Sequence, residues 1–170
     1  MPQTPTTPNL AVPQSVIDHL KLREGWRPDV YLDSLKKPTA GMGHLLVGKE
    51  ITTYHVGSKV PLSILDAWAQ ADSLKAYTAA LSQAAELHIS SKDFIKILTS
   101  VNFQLGTGWR NTFPTTWGLM KQGKWTEAAA AVKKSKWFTQ TPVRVADFQT
   151  AMVALATPPS MTGMTQHPAA

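Results

Sequence analysis

The sequence predicts an α+β fold in which a small β-containing segment precedes a set of helices. Three observations support this prediction. Between Tyr31 and Val60, short β-branched and aromatic runs alternate with glycines, as is typical of a small antiparallel sheet. From Pro61 to about Leu87, apolar residues recur with a 3.6-residue period, and no Gly and no further Pro interrupts them, which predicts one long helix. Beyond residue 88, Gly and Pro separate further helical segments.

The chain is expected to begin with a flexible arm followed by a helix. Residues 1–12 are rich in Pro and Thr, a composition typical of disordered segments. The helix is predicted from about residue 13 to Glu24, because Gly25 can take the left-handed conformation that ends many helices. Its apolar stripe consists of Val16, Ile17 and Leu20.

The β-containing segment is expected to place an acid at the end of a strand. A strand is predicted over 31–33 and ends at Asp33, after which the sequence is polar and turn-like. Small residues alternate with glycines over 39–44, and the β-branched and aromatic run 51–54 is predicted to be a further strand. An Asp at a strand end is most often a turn former, so this position alone does not indicate catalysis.

The rest of the chain is predicted to be helical up to residue 156. The later helices are expected over Lys92–Leu105, Pro114–Lys121, Trp125–Lys134, Ser135–Phe138 and Pro142–Leu155. Residues 157–170 contain three Pro and one Gly among small and polar residues and are expected to form a flexible tail.

These elements predict one domain over 13–156 that is divided into two lobes. The expected parts are an N-terminal lobe of about 25–60, a linking helix of about 61–87, and a second lobe built from 13–24 and 88–156.

Basic residues outnumber acidic ones by 17 to 11, and the excess is concentrated in one region. Between Lys121 and Arg144 there are six basic residues and one acid, Glu127. Such a segment attracts a polyanion, which could be nucleic acid, an anionic membrane or an anionic cell wall. The alternative is a solvated helix face without a partner.

No run approaches the ~20 apolar residues of a membrane span, and the first residues lack the pattern of a secretory signal.

Several kinds of chemistry lack their motifs in this sequence. There is no Cys, which excludes disulfide and thiol chemistry. The five His show no metal-ligand spacing. Gly41-Met42-Gly43 lacks the third Gly of a dinucleotide-binding loop, and no G-x-S-x-G elbow is present. The sequence therefore predicts no metal and no cofactor.

Glu24, Asp33 and Thr39 form the remaining candidate site. A glycosidase needs one carboxylic acid to protonate the leaving oxygen and one carboxylate to activate water or to attack the sugar. Glu24 would lie on the last turn of its helix, where the helix dipole disfavours a carboxylate. A hydroxyl near the second acid, such as that of Thr39, can hold the attacking water.

The segment around these residues resembles the catalytic segment of phage-type lysozymes, glycoside hydrolase family 24, and of the T-even phage muramidases in particular. The family pattern is a Glu-Gly pair, an Asp nine residues after the Glu, a Thr six residues after the Asp, and then Gly-x-Gly-His-Leu-Leu. Every element is present, as Glu24-Gly25, Asp33, Thr39 and Gly41-Met42-Gly43-His44-Leu45-Leu46. A second block resembles the same family, and together the blocks cover most of residues 14–155. It comprises Phe103-Gln104-Leu105-Gly106, Lys124-Trp125-x-Glu127-Ala128-Ala129, Ser135-Lys136-Trp137 and Gln140-Thr141-Pro142-x-Arg144.

The resemblance implies a lysozyme-like fold with an active-site cleft between two lobes, and it implies roles for individual residues. Glu24 would be the general acid, while Asp33 and Thr39 would position the attacking water, as in an inverting mechanism. The residues implied to line the saccharide cleft are Leu45, Phe103 and Thr116. The residues implied to support the site are Arg144, beside the catalytic Glu, and His44, paired with an acid on the long helix for which Asp72 is the candidate.

The chain departs from the family pattern in two places. Ala131 stands where the family has a cleft Asn, so one hydrogen bond to the sugar is expected to be lost. The stretch between His44 and Phe103 is shorter than in the T-even enzymes. The large aromatic side chains of the later helices are expected in the core rather than as sugar platforms; they are Phe103, Trp109, Trp117, Trp125 and Trp137.

The activity that the resemblance implies is that of an endolysin muramidase, which cuts the β-1,4 bond between N-acetylmuramic acid and N-acetylglucosamine of bacterial peptidoglycan. Such a protein is expected to be a monomer without stable membrane insertion or bound nucleic acid. It would wait in the host cytoplasm until a pore-forming protein released it to the wall in the periplasm. Three alternatives stay open: a wall-binding or virion-associated module with weak catalysis, a lytic transglycosylase, and a nucleic-acid-binding protein. Asp33 and Thr39 favour hydrolysis, because transglycosylation needs no second acid.

Overall fold

The structure is a computed structural model that describes residues 10–156. The predictions of a flexible arm and a flexible tail fall mainly on residues 1–9 and 157–170, which lie outside the described range. The described elements are α1 (Gln14–Glu24), β1 (Arg27–Leu32), β2 (Pro38–Gly41), β3 (His44–Leu45), α2 (Lys49–Thr53), α3 (Leu62–Glu86), α4 (Lys92–Leu105), α5 (Trp109–Thr112), α6 (Pro114–Lys121), α7 (Trp125–Lys133), α8 (Lys136–Gln140) and α9 (Pro142–Ala156). The predicted α+β class is confirmed.

The described residues form two compact units, 10–112 and 113–156. The first contains the sheet and α1 to α5, and the second contains α6 to α9. The lobes predicted from the sequence have other boundaries and stay a prediction.

Most helix limits agree with those predicted from the sequence. α4 and α6 begin and end at the predicted residues, and α3 lies within one residue of its predicted ends.

Residues 51–54 were predicted to be a strand, and this prediction is wrong because they belong to the helical segment around α2. Thr52 and Thr53 donate hydrogen bonds from their side chains to the carbonyl of Lys49, at 3.0 and 2.8 Å. A Thr in a helix can bond in this way to the carbonyl three or four residues earlier, so these contacts are typical of helical backbone. No residue of α2 is buried, so a strand there would have had no apolar face to cover.

The sheet is a three-stranded antiparallel meander in the order β1-β2-β3. β2 is therefore the central strand, and Thr39 lies between Tyr31 on β1 and Leu45 on β3. The neighbouring pair joins Ala40 to His44. β1 starts earlier than the predicted strand 31–33, and its pairing is irregular between Arg27 and Tyr31.

Two apolar clusters hold the first unit together, and Trp26 packs against both. One cluster joins α1 to α3 and comprises Val12, Val16, Ile17, Leu20, Met42 and Ala69. The other joins the sheet to α3 and comprises Val30, Ala40, Leu46, Val60 and Leu65. The sheet and α1 are therefore packed on the same long helix.

Val12 was assigned to the flexible arm, but it is a fixed part of the first unit. Its side chain is only 2% exposed. Its N–H donates to Oε1 of Gln70 at 2.9 Å, and its carbonyl accepts from Nε2 of the same side chain at 2.8 Å. Val12 is therefore not part of a flexible arm, because the amide of Gln70 satisfies both of its backbone groups as a neighbouring strand would.

A buried polar network joins α3, α4 and α5. The amides of Gln83 and Asn102 exchange two hydrogen bonds, at 2.9 and 2.8 Å, and Trp109 Nε1 donates to Gln83 Oε1 at 3.1 Å. All three side chains are buried. Because a buried amide without partners is costly, this reciprocal pairing specifies how the three helices pack.

The second unit is packed around aromatic side chains. Trp137 lies between Phe113 and Phe148, with ring centroids 5.9 and 6.1 Å away. The prediction that the tryptophans of the later helices lie in the core is confirmed, since each is at most 9% exposed: Trp109, Trp117, Trp125 and Trp137. Phe103, on α4 of the first unit, is half-buried against the cluster that joins α1 to α3.

Candidate active site

Glu24 is the last residue of α1, and the chain turns directly after it. Gly25 has φ of 87° and donates its N–H to the carbonyl of Lys21 at 2.9 Å. Lys21 Nζ lies 3.9 Å from the ring centroid of Trp26 and 3.7 Å from a carboxylate oxygen of Asp66 on α3. The end of α1 is thus anchored on the residue after it and on α3, which fixes the position of Glu24.

Asp33 follows β1 and closes the turn between β1 and β2. Its Oδ1 accepts hydrogen bonds from the N–H groups of Leu35, at 2.8 Å, and Lys37, at 2.9 Å. Its backbone N–H donates to the carbonyl of Lys37, and Lys36 donates back to the carbonyl of Asp33, both at 2.9 Å. Lys36 has φ of 60°, the left-handed conformation that such a tight turn requires.

The two carboxylate oxygens of Asp33 differ in their hydrogen bonds. Oδ1 holds the turn, whereas no described residue donates a hydrogen bond to Oδ2. The turn-forming role expected for a strand-end Asp is therefore present, and it uses only half of the carboxylate. The second oxygen is oriented by the first and is available to a water molecule.

Thr39 is linked to Asp33 through the backbone of Lys37. Its Oγ1 donates to the carbonyl of Lys37 at 3.0 Å, while the N–H of the same Lys37 donates to Asp33. Thr39 is 4% exposed. Because the hydroxyl proton is used in this bond, the Thr39 oxygen can take part in further hydrogen bonds only as an acceptor.

Gly41 lets β2 approach α3. It has φ of +64°, and a Cβ at this position would lie 3.1 Å from Leu65 Cδ2 and 3.6 Å from Trp26. A larger residue would therefore meet both a strained backbone and a close side chain. This Gly is the last residue of β2, which carries Thr39, and precedes β3, which carries His44.

His44 is held between two carboxylates from different helices. Its Nδ1 lies 2.7 Å from Asp72 Oδ2 on α3, and its Nε2 lies 2.9 Å from Glu50 Oε2 on α2. The ring stacks on Trp68 with centroids 4.2 Å apart and planes 17° apart. Both ring nitrogens face acceptors, an arrangement that suits the doubly protonated imidazolium. Asp72 is the partner expected from the family resemblance, and the structure places it there.

The pKa values of this cluster follow from its geometry. Burial lowers the pKa of His44, but hydrogen bonds and charges from Glu50 and Asp72 outweigh burial and raise it above its usual 6.5. Burial raises the pKa of Glu50, but the N–H of Val47 and the His44 ring outweigh burial and hold it below its usual 4.5. Between these two limits His44 is protonated and Glu50 is ionised, so a cation faces an anion across this contact.

The residues expected to line a saccharide cleft are found in both units. Leu45, on β3, is 41% exposed and pairs with Thr39, while Phe103 is half-buried on α4. In the second unit, Thr116 on α6 is 3% exposed, and Arg144 lies in the first turn of α9 with its N–H bonded to Thr141. Ala131 is on α7. Their roles in binding substrate or supporting Glu24 stay predictions.

Glu50 and Trp68 are two site residues that the sequence did not reveal as partners of His44. Glu50 lies in the segment whose end was predicted to be a strand, and a strand would not have turned its carboxylate back to His44. The spacing of Trp68 and Asp72, four residues apart on a predicted helix, does place both on one face. That spacing was the available signal for Trp68.

The described residues contain no group of three or more His, Asp or Glu side chains arranged to hold a metal ion. No helix within 10–156 combines the length and hydrophobicity needed to cross a membrane.

Comparison with known proteins gives three findings. The sequence profile described as phage lysozyme matches residues 21–146. The chain is 29% identical over 147 residues to "Peptidoglycan hydrolase gp36" of Pseudomonas phage phiKMV, covering 86% of this chain but only 16% of that protein. It is 27% identical over 150 residues to "Probable T4-type lysozyme 2" of Dictyostelium discoideum, covering 76% of this chain and 88% of that protein.

Proposed function

Because the chain belongs to the phage lysozyme family, we propose that it hydrolyses the β-1,4 bond between N-acetylmuramic acid and N-acetylglucosamine in bacterial peptidoglycan. The names of the two relatives, a peptidoglycan hydrolase and a probable T4-type lysozyme, support this activity. The phage relative is much longer than the matched region, so the activity is proposed for the part of the chain that carries the family match.

The hydrogen bonding of the Asp33 carboxylate is the main observation that supports the proposed mechanism. An oriented carboxylate with one oxygen committed to the turn and the other without a hydrogen-bond donor among the described residues is suited to take a proton from water. The Thr39 hydroxyl donates its hydrogen bond to the carbonyl oxygen of Lys37, and its oxygen would accept a hydrogen bond from the second hydrogen of that water. Asp33 and Thr39 share Lys37, so the turn sets the distance between them.

Glu24 completes the proposed reaction as the general acid. It would donate its proton to the glycosidic oxygen as the bond to the muramic acid C1 breaks, while the hydroxyl from water forms a new bond to C1. Asp33 would hold the proton taken from water and return it to solvent, and Glu24 would regain one from solvent. The reaction consumes water alone and calls for no metal or cofactor. Water attack on the face opposite the leaving group gives the inverting outcome.

We infer that the biological role is lysis of a bacterial host, since one relative is a phage protein named as a peptidoglycan hydrolase. The proposed location is the host cytoplasm before release and the cell wall, in the periplasm, afterwards. The enzyme would act as a monomer. The same domain within a much longer phage protein also supports a second candidate, a wall-degrading module carried by a larger assembly.

The activity is tested by mass spectrometry of muropeptides released from purified cell walls by the wild type and by Glu24→Gln. We expect the wild type to release products ending in reducing muramic acid. Glu24→Gln is expected to lose at least about 100-fold in rate, because general acid catalysis contributes 10²–10⁴-fold. Glu127→Gln serves as the matched control, since Glu127 is exposed and lies in the first turn of α7.

Three other results would contradict the proposal. Anhydro-muramic acid products would identify a lytic transglycosylase, because that reaction closes the ring without adding water. Full wall clearing by Glu24→Gln would indicate a different acid, and wall binding without clearing by the wild type would indicate a binding module. Salt-sensitive retention of duplex DNA by a protein that spares cell walls would indicate a nucleic-acid-binding protein.

A further inference from the structure

The His44 cluster connects a segment without a core of its own to the strand beside Thr39. None of the residues of α2 is buried. At its C-terminal end, Tyr54 packs edge-on against Trp68, with ring centroids 5.9 Å apart. At its N-terminal end, Glu50 Oε2 lies 2.9 Å from His44 and accepts the N–H of Val47 at 3.0 Å. Glu50 is therefore the side chain that ties the start of α2 to β3.

The other side of the His44 ring is fixed by α3. Asp72 holds Nδ1, and Trp68, one turn earlier, supports the face of the ring. His44 pairs with Ala40 on β2, and its neighbour Leu45 pairs with Thr39. The position of His44 therefore sets the position of the strand that lies beside Thr39.

We propose that Glu50 is a positioning residue for the proposed hydrolysis: together with Asp72 it keeps His44 as a clamped imidazolium, and this clamp holds β3 in register beside Thr39. This inference rests on the proposed function. Glu50 does not contact Asp33 or Thr39 in the described hydrogen bonds; it acts through His44. The family resemblance implied the Asp72 contact and gave no role to Glu50.

The clamp is expected to depend on pH in a defined window. The charged groups that face His44 are Glu50 from α2 and Asp72 from α3, while β2 contributes the uncharged Ala40. The pKa of His44 is raised, so its contribution is complete below its usual 6.5 and is lost as pH rises through the raised value. The pKa of Glu50 is lowered, so its contribution is complete above its usual 4.5 and is lost as pH falls through the lowered value.

The test compares Glu50→Gln with the control Glu127→Gln, which removes the same charge from the first turn of another helix. In Glu50→Gln, the His44 resonance in an NMR titration is expected to shift its midpoint down by more than about half a pH unit, because one carboxylate is lost. The kcat/KM on soluble peptidoglycan is expected to fall about threefold or more at a pH between the His44 midpoints of the variant and the wild type, and by less near pH 5.5, where His44 stays protonated. Glu127→Gln is expected to match the wild type in both measurements.

Two further variants separate positioning from simple structural loss. Glu50→Asp keeps the carboxylate and is expected to recover part of the activity at high pH. In a His44→Gln background, Glu50→Gln is expected to have no further effect on kcat/KM, because both residues act through one clamp. Should Glu50→Gln fail to fold, Glu50→Asp and the His44→Gln background still report the coupling.

The inference is overturned by an unchanged His44 midpoint in Glu50→Gln, or by an activity loss that is equal at all pH values. It is also overturned if the midpoint falls and the activity profile stays that of the wild type. The His44 titration can be measured on the Glu24→Gln protein, so it gives a result even if the proposed hydrolysis is wrong. Full clearing by Glu24→Gln would contradict the proposed function alone.

Discussion

The two units of the described chain differ in how they use charge. Residues 10–112 hold eleven Lys and Arg against nine Asp and Glu, and many of these charges lie in ion pairs across short distances. Examples are Lys21 with Asp66, Arg27 with Asp29, Lys96 with Asp93, and Arg110 with Glu86. Residues 113–156 hold six basic residues against two acids. None of the five lysines there forms an ion pair with a described carboxylate.

This difference in charge pairing suggests different roles for the two units. The first unit holds Glu24, Asp33, Thr39 and the His44 cluster, where each charged side chain has a defined place. The second unit presents Lys121, Lys124, Lys133, Lys134 and Lys136 on its surface. Unpaired surface lysines suit attraction to an anionic polymer rather than a specific reaction. If this comparison is right, removing the charge of a candidate catalytic acid in the first unit should abolish chemistry, and removing several charges from the second should only weaken attraction.

The largest effect is expected for Asp33→Asn. An Asn can still accept the N–H groups of Leu35 and Lys37, so the turn should remain, but it cannot take a proton from water. We expect the rate of wall hydrolysis to fall by at least about 100-fold with a melting temperature close to that of the wild type. A large drop in melting temperature would show instead that Asp33 serves mainly the turn. Asp18→Asn, an exposed acid on α1, is the control.

The next effect concerns stability and compares two glycines with similar backbones. Gly41 has φ of +64° and a side chain 3.1 Å from its virtual Cβ, whereas Gly123, in the second unit, has φ of +71° and no atom within 4 Å. Gly41→Ala is expected to lower the free energy of unfolding by about 2–4 kcal/mol, combining backbone strain and overpacking. Gly123→Ala is expected to cost about 1 kcal/mol from strain alone. Equal losses in urea unfolding would show that the contact with Leu65 is easily relieved.

A smaller effect is expected in the pH dependence of stability. Since the pKa of His44 is raised, the wild type should lose its advantage over His44→Gln as pH rises through that value. The free energy of unfolding of both proteins, measured from about pH 5 to pH 9, should therefore converge at the alkaline end. A constant difference across this range would mean that the packing of the ring on Trp68, and not its charge, supplies the stabilisation.

The smallest effect is expected for the lysines of the second unit. Replacing Lys133, Lys134 and Lys136 by Gln should slow wall clearing a few-fold at low salt, and the difference should fade above about 0.3 M salt because charges are then screened. The matched triple variant in the first unit replaces Lys59, Lys75 and Lys92, which are also exposed. Equal slowing by both variants would mean that net charge matters and that the location of the lysines does not.

The sequence predicted the long elements well, because their signals are local and repeated. The 25-residue α3 was recovered from its apolar period, and α4 was recovered between Ser91, which caps it, and Gly106, which ends it. The family assignment from two spaced blocks is confirmed by the match over residues 21–146. The candidate roles of Glu24, Asp33 and Thr39 stay predictions.

The errors came from short segments whose structure depends on distant contacts. α2 has five residues, and its Thr-rich sequence favours a strand when taken alone. In the structure it is a helix, held by hydrogen bonds to the carbonyl of Lys49 and by the contact of Glu50 with His44. Trp68 is half-buried beneath the His44 ring and also packs against the cluster that joins the sheet to α3. The backbone of Val12 is held by Gln70, a residue 58 positions later, which no local pattern reveals.

The link between Val12 and Gln70 has a mechanical consequence. Both backbone groups of Val12 are bonded to one side chain on α3, two residues before α1 begins. A pulling force on the start of the chain would reach α3 through this tether before it could unwind α1. A protein fused ahead of residue 10 would likewise be attached at a fixed point on the long helix, at a distance from the end of α1 that carries Glu24.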